Sequence, residues 1–182
     1  GTVARRFAQE GYHAFLCLRS DAAGLDELVG AIERDGGSAT GFLLNAIEAG
    51  AIEDRVAAIE AEIGPIEVVV YNLGAHIGDG GLKDTSAKVF ETGWRMGTFG
   101  LFRLASAVCP QMEARGKGTI LVTSSTAAMR GNAGQHSHAA AMGGRRMLCQ
   151  SLNAEFASKG IHVVHIVIDG AVDAPDTLGK ML

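Results

Sequence analysis

The sequence predicts a doubly wound α/β fold, a parallel sheet flanked by helices, and three observations predict it. Short apolar runs alternate with longer helical patterns along the whole chain. The runs are almost continuously apolar, as suits strands covered by helices on both faces. Glycines stand where each helical pattern stops, at Gly11, Gly36-Gly37, Gly64, Gly116 and Gly160.

The chain opens on a helical segment, Thr2–Glu10, with Val3 and Phe7 on one face and Arg5 and Arg6 on another. Five strands are expected at His13–Leu18, Ala39–Leu44, Ile66–Tyr71, Thr119–Thr123 and Ile161–Ile168. The helices between them are expected at Ala22–Asp35, Ile47–Ile63, Ser86–Arg115 and Gln135–Ser158. There is no internal repeat, linker or low-complexity stretch, so 182 residues read as a single domain, 1–182. A nucleotide-binding fold of this kind needs a strand and a Gly-rich turn before its first helix. Neither precedes Thr2, so the sequence is expected to be part of a longer protein.

A net charge of −4 with no basic patch argues against nucleic acid as a partner. No apolar run reaches the length of a membrane span. Cys17, Cys109 and Cys149 are odd in number and lack metal-site spacing. They are expected to be buried free thiols in a cytoplasmic protein. His136 and His138 diverge by about 200° on a helix, and His162 and His165 point to opposite faces of a strand. No shared metal ion is expected at either pair.

Four segments, in order and at the right spacing, carry a resemblance. ARRFAQEGY matches a helix that follows a Gly-rich turn, and YNLGA (Tyr71–Ala75) is similar to an NNAG signature. GTILVTSS (Gly118–Ser125) is similar to a strand ending in a catalytic Ser, and QSLNAEFASKGIHV (Gln150–Val163) to the long helix and strand after it. From Val3 to about Ala174 the chain resembles the classical short-chain dehydrogenases/reductases, whose fold is Rossmann-type, a three-layer α/β/α arrangement. The resemblance implies hydride transfer between a nicotinamide and a small-molecule carbonyl or alcohol. It implies a Tyr as proton donor, a Ser that holds the oxygen, a Lys that binds ribose and acidifies the Tyr, and an Asn in an earlier helix.

Ser125 matches the Ser; otherwise it would cap the following turn. His138, thirteen residues on, occupies the Tyr position, and Met142 the Lys position one helical turn beyond. Gly97 stands at the Asn position. A His titrates near 6.5 unaided, so it can serve as acid or base without a neighbouring Lys. A thioether, in contrast, cannot donate to ribose hydroxyls. The alternative is that the position drifted after catalysis ended.

The resemblance also implies cofactor contacts. Arg19 stands where NADP-preferring members bind the 2′-phosphate, and Leu18 where NAD-preferring members carry an Asp, so NADP(H) is favoured over NAD(H). Asn45 falls at an adenine contact, Asn72 and Gly74 match the NNAG signature, and Val172 falls at a main-chain contact to the nicotinamide amide. Asn72 could equally brace neighbouring strands. Asp169-Gly170 replaces the family's Pro-Gly there.

Two functions stand side by side. One is an NADP(H)-linked oxidoreductase using Ser125 and His138. The other is a non-catalytic scaffold or partner subunit. Trp94, Phe99, Leu101 and Phe102 are expected in core or subunit packing, and a homo-oligomer through the two long helices suits either reading. The 182-residue chain by itself is expected to give no turnover, because the family's first strand lies at the centre of the sheet.

Overall fold

The structure, a computed structural model, describes residues 1–74 and 80–170. They fall into two compact units, Gly1–Ile52 and the part from Glu53 onward.

In the first unit the order is α1 (Thr2–Gln9), β1 (His13–Leu18), α2 (Ala22–Arg34) and β2 (Ser38–Leu43). Strands β1 and β2 pair in parallel, from His13 opposite Ser38 to Leu18 opposite Leu43. Asp21 starts α2 by accepting a hydrogen bond from the Gly24 amide at 2.9 Å. Ala8, Ala14, Leu16, Leu25, Ile32 and Ala39 form the core, with Ala4, Leu28 and Val29 packed against it. This core uses alternate residues of β1. Cys17, on the opposite face, is exposed rather than buried as the apolar run suggested. Val3 is also exposed, so the buried stripe of α1 runs through Ala4 and Ala8.

The second unit continues with α3 (Ala51–Glu62, begun at the end of the first), β3 (Val68–Tyr71) and α4 (Ala87–Trp94). A π-helical turn over Arg95–Phe99 leads into α5 (Gly100–Arg115). Strand β4 (Gly118–Ser125), a 3₁₀ turn, α6 (His136–Phe156), a second 3₁₀ turn and β5 (Ile161–Ile168) complete it. The three strands pair in parallel in the order β3-β4-β5. Among the described residues the strands thus form two hydrogen-bonded sheets, of two and three strands. Burial alternates along β4, where Ile120 and Val122 are fully enclosed. Leu101, Val108 and Met112 of α5 and Ile161 of β5 are enclosed to the same degree. Gly116 and Gly160 close α5 and the turn after α6 with φ of 64° and 81°, a region that disfavours a side chain.

The helix expected over Ser86–Arg115 is interrupted by the π turn, and its surroundings explain the interruption. The Tyr71 hydroxyl donates to the Met96 carbonyl, and Arg145 Nε donates to the Gly97 carbonyl at 2.8 Å. Two carbonyls of the turn thereby find side-chain donors. The same stretch approaches α6 very closely. A Cβ at Gly97 would sit 2.6 Å from the Ala141 Cβ, and one at Gly144 would sit 2.7 Å from Thr98 Oγ1. Thr98 Oγ1 donates to the Ala141 carbonyl at 2.8 Å, and Ser137 Oγ to the Val89 carbonyl at 3.3 Å. Small residues on both sides let the backbones meet, and hydroxyls bridge them.

Candidate active site

Ser125 ends β4 in an extended conformation, with φ −132° and ψ 172°. Its hydroxyl makes no cap bond to the 3₁₀ turn that follows. It hydrogen bonds instead to His138 Nε2, 3.1 Å away, in the first turn of α6. Both residues are half-buried. The thirteen-residue spacing read in the sequence therefore brings a hydroxyl and an imidazole into direct contact at the carboxyl end of a strand. One can hold an oxygen atom, and the other can give or take its proton.

Met142 lies one turn along α6 and is 3% exposed. It packs with Ala127, Ala128 and Ala141. Its sulfur accepts a hydrogen bond from Ser124 Oγ at 3.7 Å. Its Cε would lie 3.3 Å from a Cβ at Gly97. Two of the replaced positions, 97 and 142, thus pack against each other. An apolar side chain fills the place where the resemblance puts a cation.

The remaining expected residues divide by unit. Arg19 and Asn45 follow the carboxyl ends of the neighbouring strands β1 and β2, where the Leu44 amide donates to the Leu18 carbonyl at 2.8 Å. Arg19 is exposed, and Asn45 Nδ2 donates to Glu48 Oε1 at 2.9 Å. That bond uses an amide proton of Asn45 and not its side-chain carbonyl oxygen. Asn72 and Gly74 follow β3 and are exposed, and a Cβ at Gly74 would meet nothing within 4 Å. Val172 lies outside the described residues.

Sequence reasoning missed Arg145 and Tyr71. The Arg145 guanidinium is almost fully enclosed, 2% exposed. It donates from Nε to the Gly97 carbonyl at 2.8 Å, and through its terminal nitrogens to the carbonyls of Thr123 at 2.6 Å and Leu73 at 2.8 Å. It also lies 5.1 Å from the centre of the Tyr71 ring. Burial pushes the Tyr71 phenol up to about 12, against a smaller opposing pull from Arg145. The available signal was a charged residue at a core-facing position of α6, in helical phase with His138 and Met142.

Trp94 and Phe102 are exposed, which removes them from the core. Their rings stack with Phe99, with centroids 5.1 and 6.1 Å apart, while Leu101 is fully buried. Among the described residues no helix is long and apolar enough to cross a membrane.

Parallel strands flanked by helices, with polar residues gathered at their carboxyl ends, define a Rossmann-like α/β protein. The family model described as short chain dehydrogenase matches residues 1–178. The chain belongs to the short-chain dehydrogenase family. It is 33% identical over 175 residues to the BbsC subunit of (2S)-[(R)-hydroxy(phenyl)methyl]succinyl-CoA dehydrogenase from Thauera aromatica, covering 96% of this chain and 68% of that one. A short-chain dehydrogenase from Rhodopseudomonas palustris superposes with a TM-score of 0.86 at 32% identity, over 95% of this chain and 78% of that one. A gluconate 5-dehydrogenase from Burkholderia cenocepacia, solved with NADP and tartrate, shares the fold with a TM-score of 0.84 at 24% identity, over 92% of this chain and 65% of its own. The chain spans about six tenths of the length of several curated relatives it matches.

Proposed function

We propose that the protein is an NADP(H)-linked oxidoreductase acting on a small-molecule carbonyl or alcohol, with Ser125 and His138 as its catalytic residues. The hydrogen bond between Ser125 Oγ and His138 Nε2 carries this reading. A reduced nicotinamide cofactor, when bound, would be the hydride source for the carbonyl carbon. Ser125 donates a hydrogen bond to the carbonyl oxygen and orients it. Protonated His138 gives its Nε2 proton to that oxygen, is left neutral and regains a proton from water. In the oxidation direction neutral His138 takes the hydroxyl proton. General acid–base help of this kind contributes about 10²–10⁴ in rate.

The fit to the cofactor is uneven. Exposed Arg19, Asn45 with a free carbonyl oxygen, and Gly74 with open space beside it suit the adenosine phosphate, adenine and backbone contacts. Val172 belongs with them by resemblance, and Asn72 serves either the ligand or the turn. Met142 offers no donor to a ribose, so weaker cofactor binding is expected than a Lys would give. Three thiols outside any disulfide suit a cytoplasmic setting.

A second reading is a non-catalytic partner subunit that keeps the fold and its association surface. Two observations favour it. Met142 is buried among alanines where a cation would be needed, and the Thauera relative is itself named as a subunit of a dehydrogenase. Calorimetric titration of NADPH and then NADH into the full-length protein separates the two. NADPH binding supports the oxidoreductase, and Arg19 is then the residue whose mutation should weaken it. No binding of either by folded protein refutes it and leaves the partner subunit.

A further inference from the structure

A buried guanidinium whose acceptors are all main-chain carbonyls is costly unless its nitrogens each find an acceptor. Arg145 uses them on three separate segments. Leu73 lies between Asn72 and Gly74, in the turn after β3. Thr123 lies two residues before Ser125 on β4. Gly97 lies in the π turn. Arg145 itself stands on α6, seven residues after His138 and therefore on the same helix face, two turns along. One planar group thus fixes the strand that carries Ser125 against the helix that carries His138, and pins the Asn72–Gly74 turn to both. Tyr71 packs its ring against the guanidinium and holds the neighbouring Met96 carbonyl. A Lys, with a single point of charge on a flexible stem, cannot span three carbonyls in this fork geometry.

We propose that Arg145 is a positioning residue that sets the Ser125–His138 contact by clamping β4, the β3 turn and the π turn onto α6. The inference rests on the Ser125–His138 pair of the proposed function, and the test keeps the two apart. The readout is the NMR titration midpoint of the His138 imidazole in the full-length protein, which needs no cofactor and no turnover. Ser125→Ala should move that midpoint by about half a pH unit, since it deletes a hydrogen bond to the ring. In an Arg145→Met background the same Ser125→Ala change should move it by less than a third as much. In Arg145→Lys the shift should be intermediate, and this variant serves alone if Arg145→Met does not fold.

A residue that merely stabilises the fold would lower the melting temperature and leave the Ser125 effect on His138 at full size. Full-size coupling in folded Arg145→Lys and Arg145→Met overturns the proposal while the Ser–His pair stands. No effect of Ser125→Ala in the wild-type background overturns the pair, and the role of Arg145 with it.

Discussion

Replacing Gly97 by Ala tests whether the replaced active-site position is now a packing position. An Ala in a helix interior is favoured over Gly by about 0.8–1 kcal/mol. Against this, the new Cβ would stand 2.6 Å from the Ala141 Cβ and 3.3 Å from Met142 Cε. The first contact is with the short side chain of buried Ala141 and can be relieved only by moving α6. Overpacking of this kind costs about 1–3 kcal/mol, so the net expectation is a loss of about 0–2 kcal/mol after the propensity gain. Gly143, on α6, is the control: a Cβ there meets nothing within 4 Å. Gly143→Ala should therefore gain about 0.8–1 kcal/mol. Thermal unfolding followed by circular dichroism should show Gly97→Ala melting up to about 8 °C lower and Gly143→Ala about 2–4 °C higher than the parent. Gly97→Asn, which restores the family's amide, should be the least stable of the three. The reasoning fails if Gly97→Ala melts at or above the temperature of Gly143→Ala.

Four further outcomes are expected. His138→Phe should remove any NADPH-dependent carbonyl reduction yet leave the sedimentation coefficient unchanged; residual turnover within tenfold of the parent would exclude His138 as proton donor. Phe102→Glu with Trp94→Glu, at the exposed stacked rings, should convert a homo-oligomer to monomer in sedimentation, and an unchanged assembly would place the interface elsewhere. The Arg103 guanidinium, bonded to both carboxylate oxygens of Glu53, holds that carboxyl below its ordinary 4.5. The pair therefore stabilises the folded state above that pH, and its contribution is lost as pH falls through the folded value. Glu53→Gln should destabilise by about 1 kcal/mol at pH 7, since the carboxylate is partly solvent-screened, and by progressively less as pH falls through the folded value; an effect that does not shrink with falling pH would refute the pairing. Finally, of three thiols, Cys17 should react fast with a disulfide reagent in native protein. Cys109 and Cys149, buried and pushed up to about 11, should react only on unfolding.

The elements were legible in the sequence because strand and helix here are local matters of run length and glycine placement. The strand at Ile161–Ile168 has the expected bounds, and α2 ends one residue early. Cys17 was misread for a physical reason. A continuous apolar run says that a strand is buried somewhere, while which side is covered depends on the neighbours that each sheet has. The π turn at Arg95–Phe99 was equally invisible, since no residue in it breaks a helix by itself. Its cause sits on other elements, in the donors of Tyr71 and Arg145.

The candidate site shows the same division. Ser125 and His138 could be paired through the resemblance, which implies a Ser and an acid–base residue thirteen positions apart. What surrounds them could not be read that way. Gly97 and Met142 each look like an isolated loss when compared with the family pattern. In the fold they are one packed group, with Met142 reaching both the Ser124 hydroxyl and the space beside Gly97. Restoring the Lys at 142 would put a charge among Ala127, Ala128 and Ala141. Restoring the Asn at 97 would push α6 away. Each reversion is opposed by the packing of the other, which makes the altered site a coherent local structure. The buried cation of the region is now Arg145, one turn further along α6, turned inward to the backbone.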